Sequence, residues 1–323
     1  MLAGASTPLP KTLEELLPPD LAGAIDGLDV LSRKVLSGKL PGERRSKRRG
    51  RSVEFDDFRQ YSPGDDPRTI DWNIVARLDR LVVKLFREEE DLGLYVIVDV
   101  SASMNAGTPN KLAFAARTAM ALAYVALVNQ NRVTIATVGG SSGLKRMMPL
   151  RGRAAVHRVG AFLLEQMSGA TKKPSRENEP GKAFAAQMRA IASEGSLRGV
   201  LVVLSDFLFD GEAGLGFLTP AIASGGLDAY ALQTLAPGEL DPSSDVERGL
   251  IGDLQLEDVE TAKTLAVTVS PESIARYRAV LEEKIDLLHA GCAARGVAHM
   301  VVNTSVPVRD LLINTLRRAG ALA

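Results

Sequence analysis

Three oxygen-bearing side chains follow an apolar stretch at a regular spacing. Asp99, Ser101 and Ser103 stand two residues apart, directly after the run Leu-Tyr-Val-Ile-Val at residues 94–98. Such a run, rich in β-branched residues, predicts a strand buried on both faces in the middle of a parallel sheet. Ligands of open α/β sheets bind at the carboxyl ends of these strands. One carboxylate and two hydroxyls suit Mg²⁺ or Mn²⁺ better than Zn²⁺, so the pattern predicts a divalent-cation site.

A second aspartate repeats this context. Asp206 ends the apolar run at residues 200–205, so its predicted strand resembles the one before Asp99. Two carboxylates at adjacent strand ends repel each other unless a cation or a proton lies between them. A different interpretation stays open, in which Ser101 and Ser103 cap a helix beginning near Lys111 and hydrogen bonds satisfy Asp99.

The motif from Asp99 to Ser103 resembles the Asp-x-Ser-x-Ser loop of von Willebrand factor A domains, which forms their metal-ion-dependent adhesion site. In that family a threonine from a second loop and an aspartate from a third complete the site. Thr171 and Asp206 fall at the matching positions here. The resemblance therefore implies one metal site made by Asp99, Ser101, Ser103, Thr171 and Asp206. It also implies that one coordination position is left for an acidic side chain of a partner protein.

A longer match covers the segment from Arg59 to Arg77. It resembles the Tyr-x-x-Gly-Asp-Asp-x-Arg-x-Ile-Asp-Trp signature of a bacterial family known as domain of unknown function 58, in which it precedes a von Willebrand A-like domain. The matching residues are Tyr61, Gly64, Asp65, Asp66, Arg68, Ile70, Asp71 and Trp72, followed by Ala76 and Arg77. The resemblance implies work beside a MoxR-type AAA+ ATPase, in the assembly, maturation or activation of other proteins.

The polar and aromatic residues of this segment are candidates for partner binding, namely Tyr61, Asp65, Asp66, Arg68, Asp71, Trp72 and Arg77. Two alternatives remain for the aspartates. With a metal they could hydrolyse phosphate esters or nucleic acid, the latter as a nuclease using Asp65, Asp66 and the Asp99 site. The sequence Pro-Gly-Asp-Asp-Pro also predicts a turn, and Asp71 is positioned to cap a helix over residues 72–78. Tyr61 and Trp72 are expected to anchor the segment to the body, unless Trp72 is a surface hot spot.

The remaining chain alternates strand and helix patterns, which predicts an α/β fold with a mostly parallel, Rossmann-like von Willebrand A sheet and helices on both faces. Strands are predicted at 94–99, 132–138, 144–149, 199–205, 228–235 and 297–303, and helices at 111–129, 152–167, 181–193, 214–223, 271–294 and 307–319. Before them, strands are predicted at 52–58 and 80–86, and a helix from Leu21 to about Gly38. The expected domains are 1–91 and 92–323. Alternation near 240–270 predicts an inserted hairpin that could extend the small β unit of the first domain.

Composition narrows the functional classes. Lys plus Arg equals Asp plus Glu at 39 each, so no overall field favours nucleic acid, and the basic run at residues 44–51 is interpreted as a solvated loop without stacking aromatics. A single cysteine, Cys292, excludes an internal disulfide and fits a reducing compartment. The first 30 residues lack a signal peptide pattern, and the apolar stretch at 112–128 is shorter than the roughly 20 residues of a membrane span. A cytoplasmic, non-enzymatic interaction protein is the resulting expectation, of unknown oligomeric state.

Overall fold

The chain divides into two compact units. The computed structural model describes residues 8–32, 53–88, 92–140, 143–170, 180–192, 198–209, 226–243, 252–257 and 264–323. The small unit is Lys39–Asp91, and the large unit combines Met1–Gly38 with Leu92–Ala323. The predicted first domain, residues 1–91, therefore differs from the structure, because the N-terminal residues group with the large unit. The helix predicted at 214–223 and the basic run at 44–51 lie outside the described residues.

The elements follow the chain in this order. The strands are β1 (Val53–Gln60), β2 (Val82–Glu88), β3 (Gly93–Asp99), β4 (Arg132–Val138), β5 (Lys145–Arg146), β6 (Gly199–Ser205), β7 (Leu227–Leu235), β8 (Gly252–Glu257), β9 (Thr264–Val269) and β10 (Val297–Asn303). The helices are α1 (Leu13–Leu16), α2 (Pro19–Ile25), α3 (Trp72–Leu78), α4 (Lys111–Val128), α5 (Val156–Ala170), α6 (Pro180–Ala192), α7 (Pro237–Leu240) and α8 (Pro271–Ala293). A last helical segment runs through Val308–Asp310, Leu311–Leu316 and Arg317–Ala319, its middle part a π-helix.

The large unit is built on a six-stranded sheet of order β10-β7-β6-β3-β4-β5. Every neighbouring pair is parallel except β4 and β5, which are antiparallel. Strand β5 is only two residues long, shorter than the predicted strand at 144–149. The sheet confirms the predicted mixed α/β fold with a mostly parallel sheet.

Alternate residues of the central strands pack against helices on opposite faces. One face of β3 and β6, with Val96 and Val202, belongs to a core that includes α4 and α5. The other face, with Ile97 and Val203, packs in a second core with side chains of α6 and α8. Because both faces are covered, the strands are apolar without alternation, as the sequence pattern indicates.

Helix α4 is the central helix of the first core. It is long and apolar enough to cross a membrane by length and composition, but 89% of its apolar window is buried inside the fold. Its alanine-rich surface, including Ala115, Ala119 and Ala123, allows close approach to the sheet and to α5. The helix therefore belongs to the core of the domain, as expected from its position after the Asp99 motif.

The N-terminal residues attach to the large unit as two short helices. Leu16 and Ile25 are fully buried in the core around α4. Helix α2 ends at Ile25, so the predicted helix reaching Gly38 is wrong in its length. The chain instead turns, and Val30 forms an isolated antiparallel bridge with Leu322. Pairing with the C-terminus, which sequence periodicity cannot register, ends the helix early.

The two remaining strand pairs form small sheets of their own. In the small unit β1 and β2 are antiparallel. Strands β8 and β9 form the inserted hairpin predicted near 240–270, and they also pair antiparallel. Strands β8 and β9 form a two-stranded sheet of their own. The expectation that the hairpin could extend the sheet of β1 and β2 is therefore wrong.

His299 on β10 makes the stability of the large unit sensitive to mild acid. Its ring Nε2–H donates a hydrogen bond to Gln233 Oε1 at 3.1 Å, and the ring lies 5.7 Å from the ring of His289. Burial, and next the charge of His289, lower the pKa of His299 to about 4. The folded pKa is below the unfolded value, so stability is complete above the unfolded pKa of about 6.5 and is lost as pH falls from there toward 4.

We therefore expect the free energy of unfolding to fall by about 1–2 kcal/mol between pH 7 and pH 5 because of this histidine. His299→Gln should remove that part of the pH dependence, measured as urea unfolding at both pH values. His157→Gln, at an exposed histidine, is the matched control and should leave the dependence unchanged. An equal acid loss in His299→Gln and the parent would contradict the assignment.

Candidate metal site at the carboxyl edge of the sheet

Asp99 and Asp206 lie at the carboxyl ends of the two central strands, β3 and β6. The chain leaves β3 toward β4 on one side and later returns to β6 on the other side, so the direction of winding changes between these strands. Such a switch point opens a crevice at the carboxyl edge, which is where open α/β sheets bind ligands. The parallel register pairs Val98 with Leu204, which brings the ends of both strands to the same level.

Asp99 is almost completely buried and accepts two hydrogen bonds. The backbone N–H of Ser101 donates to Oδ1 at 2.8 Å, and the Ser205 hydroxyl donates to Oδ2 at 2.6 Å. Ser205 itself accepts a hydrogen bond from the backbone N–H of Phe207 at 3.1 Å. These contacts hold the carboxylate in one orientation at the end of β3.

The serine hydroxyls of the motif do not cap helix α4. Ser101 Oγ and Ser103 Oγ lie 3.1 Å apart and share a hydrogen bond. The cap is Asn110, whose Oδ1 accepts a hydrogen bond from the backbone N–H of Ala113 at 3.0 Å. The interpretation of the serines as helix caps is therefore wrong, although the hydrogen bonds expected for Asp99 in that interpretation are present.

Gly139, at the end of β4, leaves room beside Asp99. A Cβ atom at this position would lie 2.4 Å from Asp99 Oδ1 and 3.1 Å from the Cβ of Ser101. Its φ of +78° is also a conformation that favours glycine. Its N–H donates to Gln187 Oε1 on α6, which fixes the turn against the edge of the sheet. Any side chain here would fill the space next to the carboxylate.

Asp206 forms a buried ion pair that the sequence did not reveal. Lys111 Nζ lies 2.8 Å from Asp206 Oδ2 and 2.6 Å from Glu239 Oε1, and the Lys111 side chain is fully buried. Asp206 Oδ1 accepts a longer hydrogen bond, 3.3 Å, from the backbone N–H of Leu208. A signal existed in the sequence, because a lysine opens an apolar helix where the helix dipole favours acidic residues. Glu239 likewise follows a predicted strand at the same edge.

The buried charges shift one another's protonation. Burial, and next the charge of Asp206, raise the pKa of Asp99 to about 7, and hydrogen bonds from Ser205 and Ser101 offset part of that rise. Burial alone would lower the pKa of Lys111. The negative charges of Asp206 and Glu239 raise it by more than burial lowers it, so the pKa lies above its ordinary value. The edge therefore holds a charged ammonium and a carboxyl group that is disfavoured as an anion without a further cation.

The residues of this edge fit an oxygen-coordinated divalent cation. Within the described ranges, no group of three or more His, Cys, Asp and Glu side chains is arranged to hold a metal, so a site here would combine two carboxylates with the serine hydroxyls. Carboxylate and hydroxyl oxygens are ligands for Mg²⁺. Thr171, the other expected ligand, lies outside the described residues.

The signature segment of the small unit is a series of turns and caps. Asp65 forms a bidentate ion pair with Arg59, both oxygens at 2.7 Å, and Asp66 accepts the backbone N–H of Arg68 at 3.0 Å. Asp71 caps α3 as its spacing predicts, accepting from the N–H groups of Asn73 and Ile74. These structural contacts account for the three aspartates and argue against their use in phosphoester hydrolysis.

Asp71 also pairs with Lys84 Nζ on β2 at 3.1 Å. We expect Asp71→Ala to lower the melting temperature of the small unit by a few degrees, because helix α3 loses its cap and Lys84 loses its partner. Asp71→Asn should have a smaller effect, since an Asn can still cap. A double-mutant cycle with Lys84→Met separates the ion pair from the cap. Equal melting of Asp71→Ala and the parent would contradict this role.

The aromatic residues of the segment differ in exposure. Tyr61 is half-buried, and its N–H donates to the carbonyl of Leu81 at 2.9 Å. Trp72 is 63% exposed, which fits the alternative of a surface hot spot better than the expected packing anchor. Leu78 and Leu81 are exposed as well. Arg68 and Arg77, the cationic candidates, are also exposed.

These features define a class of protein: a mixed α/β domain with two aspartates at the switch point of an open parallel sheet, joined in one chain to a small β unit. The family model described as "Protein of unknown function DUF58" matches residues 57–285. The chain belongs to this family.

Curated relatives match over nearly the whole chain. The uncharacterized proteins Rv1480 of Mycobacterium tuberculosis (strain H37Rv) and Mb1516 of Mycobacterium bovis are each 27% identical over 315 residues, covering 94% of this chain and 92% of the relative. Among solved structures, the conserved hypothetical protein BatB from Bacteroides thetaiotaomicron has a TM-score of 0.38 and 13% identity, covering 70% of this chain and 98% of that one. A von Willebrand factor type A structure from Catenulispora acidiphila has a TM-score of 0.28 and 15% identity, covering 63% and 44%.

Proposed function

We propose that the chain is a non-enzymatic interaction protein whose sheet edge binds one Mg²⁺ or Mn²⁺ ion and through it an acidic side chain of a partner. The residues that would hold the ion are Asp99, Ser101, Ser103 and Asp206, with Thr171 as a further ligand. When bound, the metal would bridge two sets of oxygen atoms across an interface. The interaction role is what the resemblance of the Asp99 motif to von Willebrand factor A domains implies.

One observation carries the proposal: two buried aspartates end adjacent strands at the switch point of the sheet, with two serine hydroxyls beside them. Burial and mutual repulsion disfavour two ionised carboxylates in this position. A divalent cation would relieve both effects, and the donor atoms are those that Mg²⁺ prefers. Gly139 supports the proposal further, because any side chain at this position would occupy the space next to Asp99 Oδ1.

We propose a MoxR-type AAA+ ATPase as the partner, on the basis of the family resemblance of the signature segment and the Asp99 motif. An acidic surface on that ATPase would complete the metal coordination. The chain would then act in assembling or activating other proteins, with the ATPase supplying the energy.

A second contact surface is proposed on the small unit. Trp72, at 63% exposure, is a large aromatic side chain on the surface, and tryptophan and arginine are enriched among residues that dominate binding energy. Arg68 and Arg77 are exposed in the same unit. Asp65, Asp66 and Asp71 support this surface by holding its turns and helix α3.

The test is a pull-down of a MoxR-type ATPase with the tagged protein, in Mg²⁺ and in EDTA. We expect capture in Mg²⁺ that EDTA abolishes, that Asp99→Ala abolishes and that Trp72→Ala weakens. Asp286→Ala removes an exposed carboxylate from α8 and is the matched control, which should bind as the parent does. If Asp99→Ala captured the ATPase equally with and without EDTA, the bridging role would be wrong. Turnover of phosphodiester substrates with Mn²⁺, lost in Asp66→Ala, would point instead to a hydrolase.

A further inference from the structure

Lys111 places a permanent cation inside the cluster of carboxylates at the sheet edge. Its ammonium donates to Asp206 Oδ2 at 2.8 Å and to Glu239 Oε1 at 2.6 Å. The side chains of Lys111 and Asp206 are 0% and 1% exposed, and that of Glu239 is 14% exposed. Because the ions are removed from water, their charges act strongly on any other ion in the crevice.

The position of the ammonium is fixed from both sides. Lys111 begins α4, and its backbone N–H donates to the carbonyl of Ala106 at the end of the Asp99 loop. Glu239 Oε2 accepts the N–H of Ala236 at 2.9 Å, while its carbonyl accepts the hydroxyl of Tyr277 at 2.9 Å. The ammonium is thus held between Asp206 at the end of β6 and Glu239 in the turn after β7, and the backbone of the same residue is tied to the Asp99 loop.

These two segments are in tight contact. A Cβ atom on Gly107 would lie 2.5 Å from the Cβ of Ala236 and 3.7 Å from the Cγ of Lys111. The loop before α4 therefore lies close against the turn that carries Glu239. A cation that binds at Asp99 and Asp206 would therefore lie near this ammonium, which is in contact with Asp206.

We propose that Lys111 determines the charge selectivity of the metal site, by neutralising one of the three carboxylates of Asp99, Asp206 and Glu239. The inference rests on the proposed metal site and names the residue that tunes it. With these groups ionised, the cluster carries two negative charges, which one divalent cation balances. Without the ammonium it would carry three, and a trivalent ion would gain more than a divalent one.

The magnitude follows from Coulomb's law. Coulomb energy is proportional to the product of the two charges. One added negative charge therefore strengthens the attraction of a trivalent ion more than that of a divalent ion at the same distance, in the ratio of their charges. At the effective dielectric constant of a partly buried site, this difference corresponds to about tenfold to a hundredfold in relative affinity for each unit of charge. The ratio of the two affinities therefore reports the charge of the cluster, and it is insensitive to a general loosening of the site.

The experiment measures the affinities of Mn²⁺ and Lu³⁺, two ions of similar radius, by calorimetry on four proteins. Glu239→Gln leaves one negative charge, the parent has two, Lys111→Met with Glu239→Gln again has two, and Lys111→Met has three. We expect the preference for Lu³⁺ over Mn²⁺ to rise in that order, with the parent and the double variant equal. If Lys111→Met does not fold, the other three proteins still decide the question.

A merely structural lysine predicts a different pattern. In that case the double variant would bind both ions more weakly than the parent, and Glu239→Gln would keep the parent's preference, which overturns the proposal. Failure of the parent to bind either ion would overturn the metal site itself and the inference with it. If the parent binds the ions and all variants have the same ratio of Lu³⁺ to Mn²⁺ affinity, the role of Lys111 would be wrong, but the metal site would stand.

Discussion

Asp99→Asn is expected to weaken Mg²⁺ binding by at least about 100-fold while leaving the metal-free protein as stable as the parent. The two properties separate because the carboxylate has opposite effects on them. Its charge attracts the metal, but in the metal-free protein the same charge is buried near Asp206 and is disfavoured. An Asn of the same shape can still accept the N–H of Ser101, and the Ser205 hydroxyl can rotate to accept from its amide.

The measurement is thermal or urea unfolding of both proteins in EDTA and in Mg²⁺. At a Mg²⁺ concentration 100 times its dissociation constant, the parent should gain about 2.7 kcal/mol, and Asp99→Asn should gain almost nothing. Asp286→Asn, at an exposed aspartate of α8, is the control and should gain as much as the parent. A metal-free Asp99→Asn protein that is much less stable than the parent would mean that Asp99 serves the fold and not a ligand.

Gly199→Ala is expected to destabilise the large unit by about 3 kcal/mol or more. Gly199 begins β6 with a φ of +120°, and a Cβ there would lie only 2.0 Å from the carbonyl oxygen of Gly93, its partner in β3. Both the backbone conformation and the close approach exclude a side chain, and each alone costs about 1–3 kcal/mol. The two central strands would have to separate at their first residues.

The matched control is Gly23→Ala in helix α2, where a Cβ would meet nothing within 4 Å. There the same substitution should stabilise the protein slightly, by roughly 0.5–1 kcal/mol, because alanine favours helix. Urea unfolding of both variants measures the change in the free energy of unfolding. The same glycine-to-alanine substitution is expected to lower it at Gly199 and to raise it at Gly23. A Gly199→Ala protein within about 1 kcal/mol of the parent would contradict the close contact of β3 with β6.

Much of the sheet could be predicted from the sequence, since its central strands are buried on both faces. Mostly apolar segments predicted the strands at 132–138, 199–205 and 297–303 with the bounds that the structure has. The short edge strand β5 and the N-terminal helices were less predictable. The extent of β5 depends on its pairing with Ala136 in β4. The end of the N-terminal helices depends on the bridge from Val30 to Leu322, which is distant in the sequence.

The candidate site was predictable in part for the same reason. Asp99 and Asp206 end strands that the pattern identifies, so they could be found from the sequence. The sequence carried a signal for Lys111 and Glu239 one by one, but not for their contact, because it joins residues 128 positions apart and depends on the order of strands in the sheet. The exposure of Trp72 agrees with the surface hot spot that the sequence left open beside an anchoring role.

The most direct test of the metal site is calorimetric titration of Mg²⁺ and of Mn²⁺ into the EDTA-treated protein, beside Asp99→Ala. We expect one ion bound per chain in the parent and no binding in the variant. No heat of binding in the parent, or the same binding in both proteins, would contradict the site. The signature segment around Trp72 would then be the better candidate for the working surface.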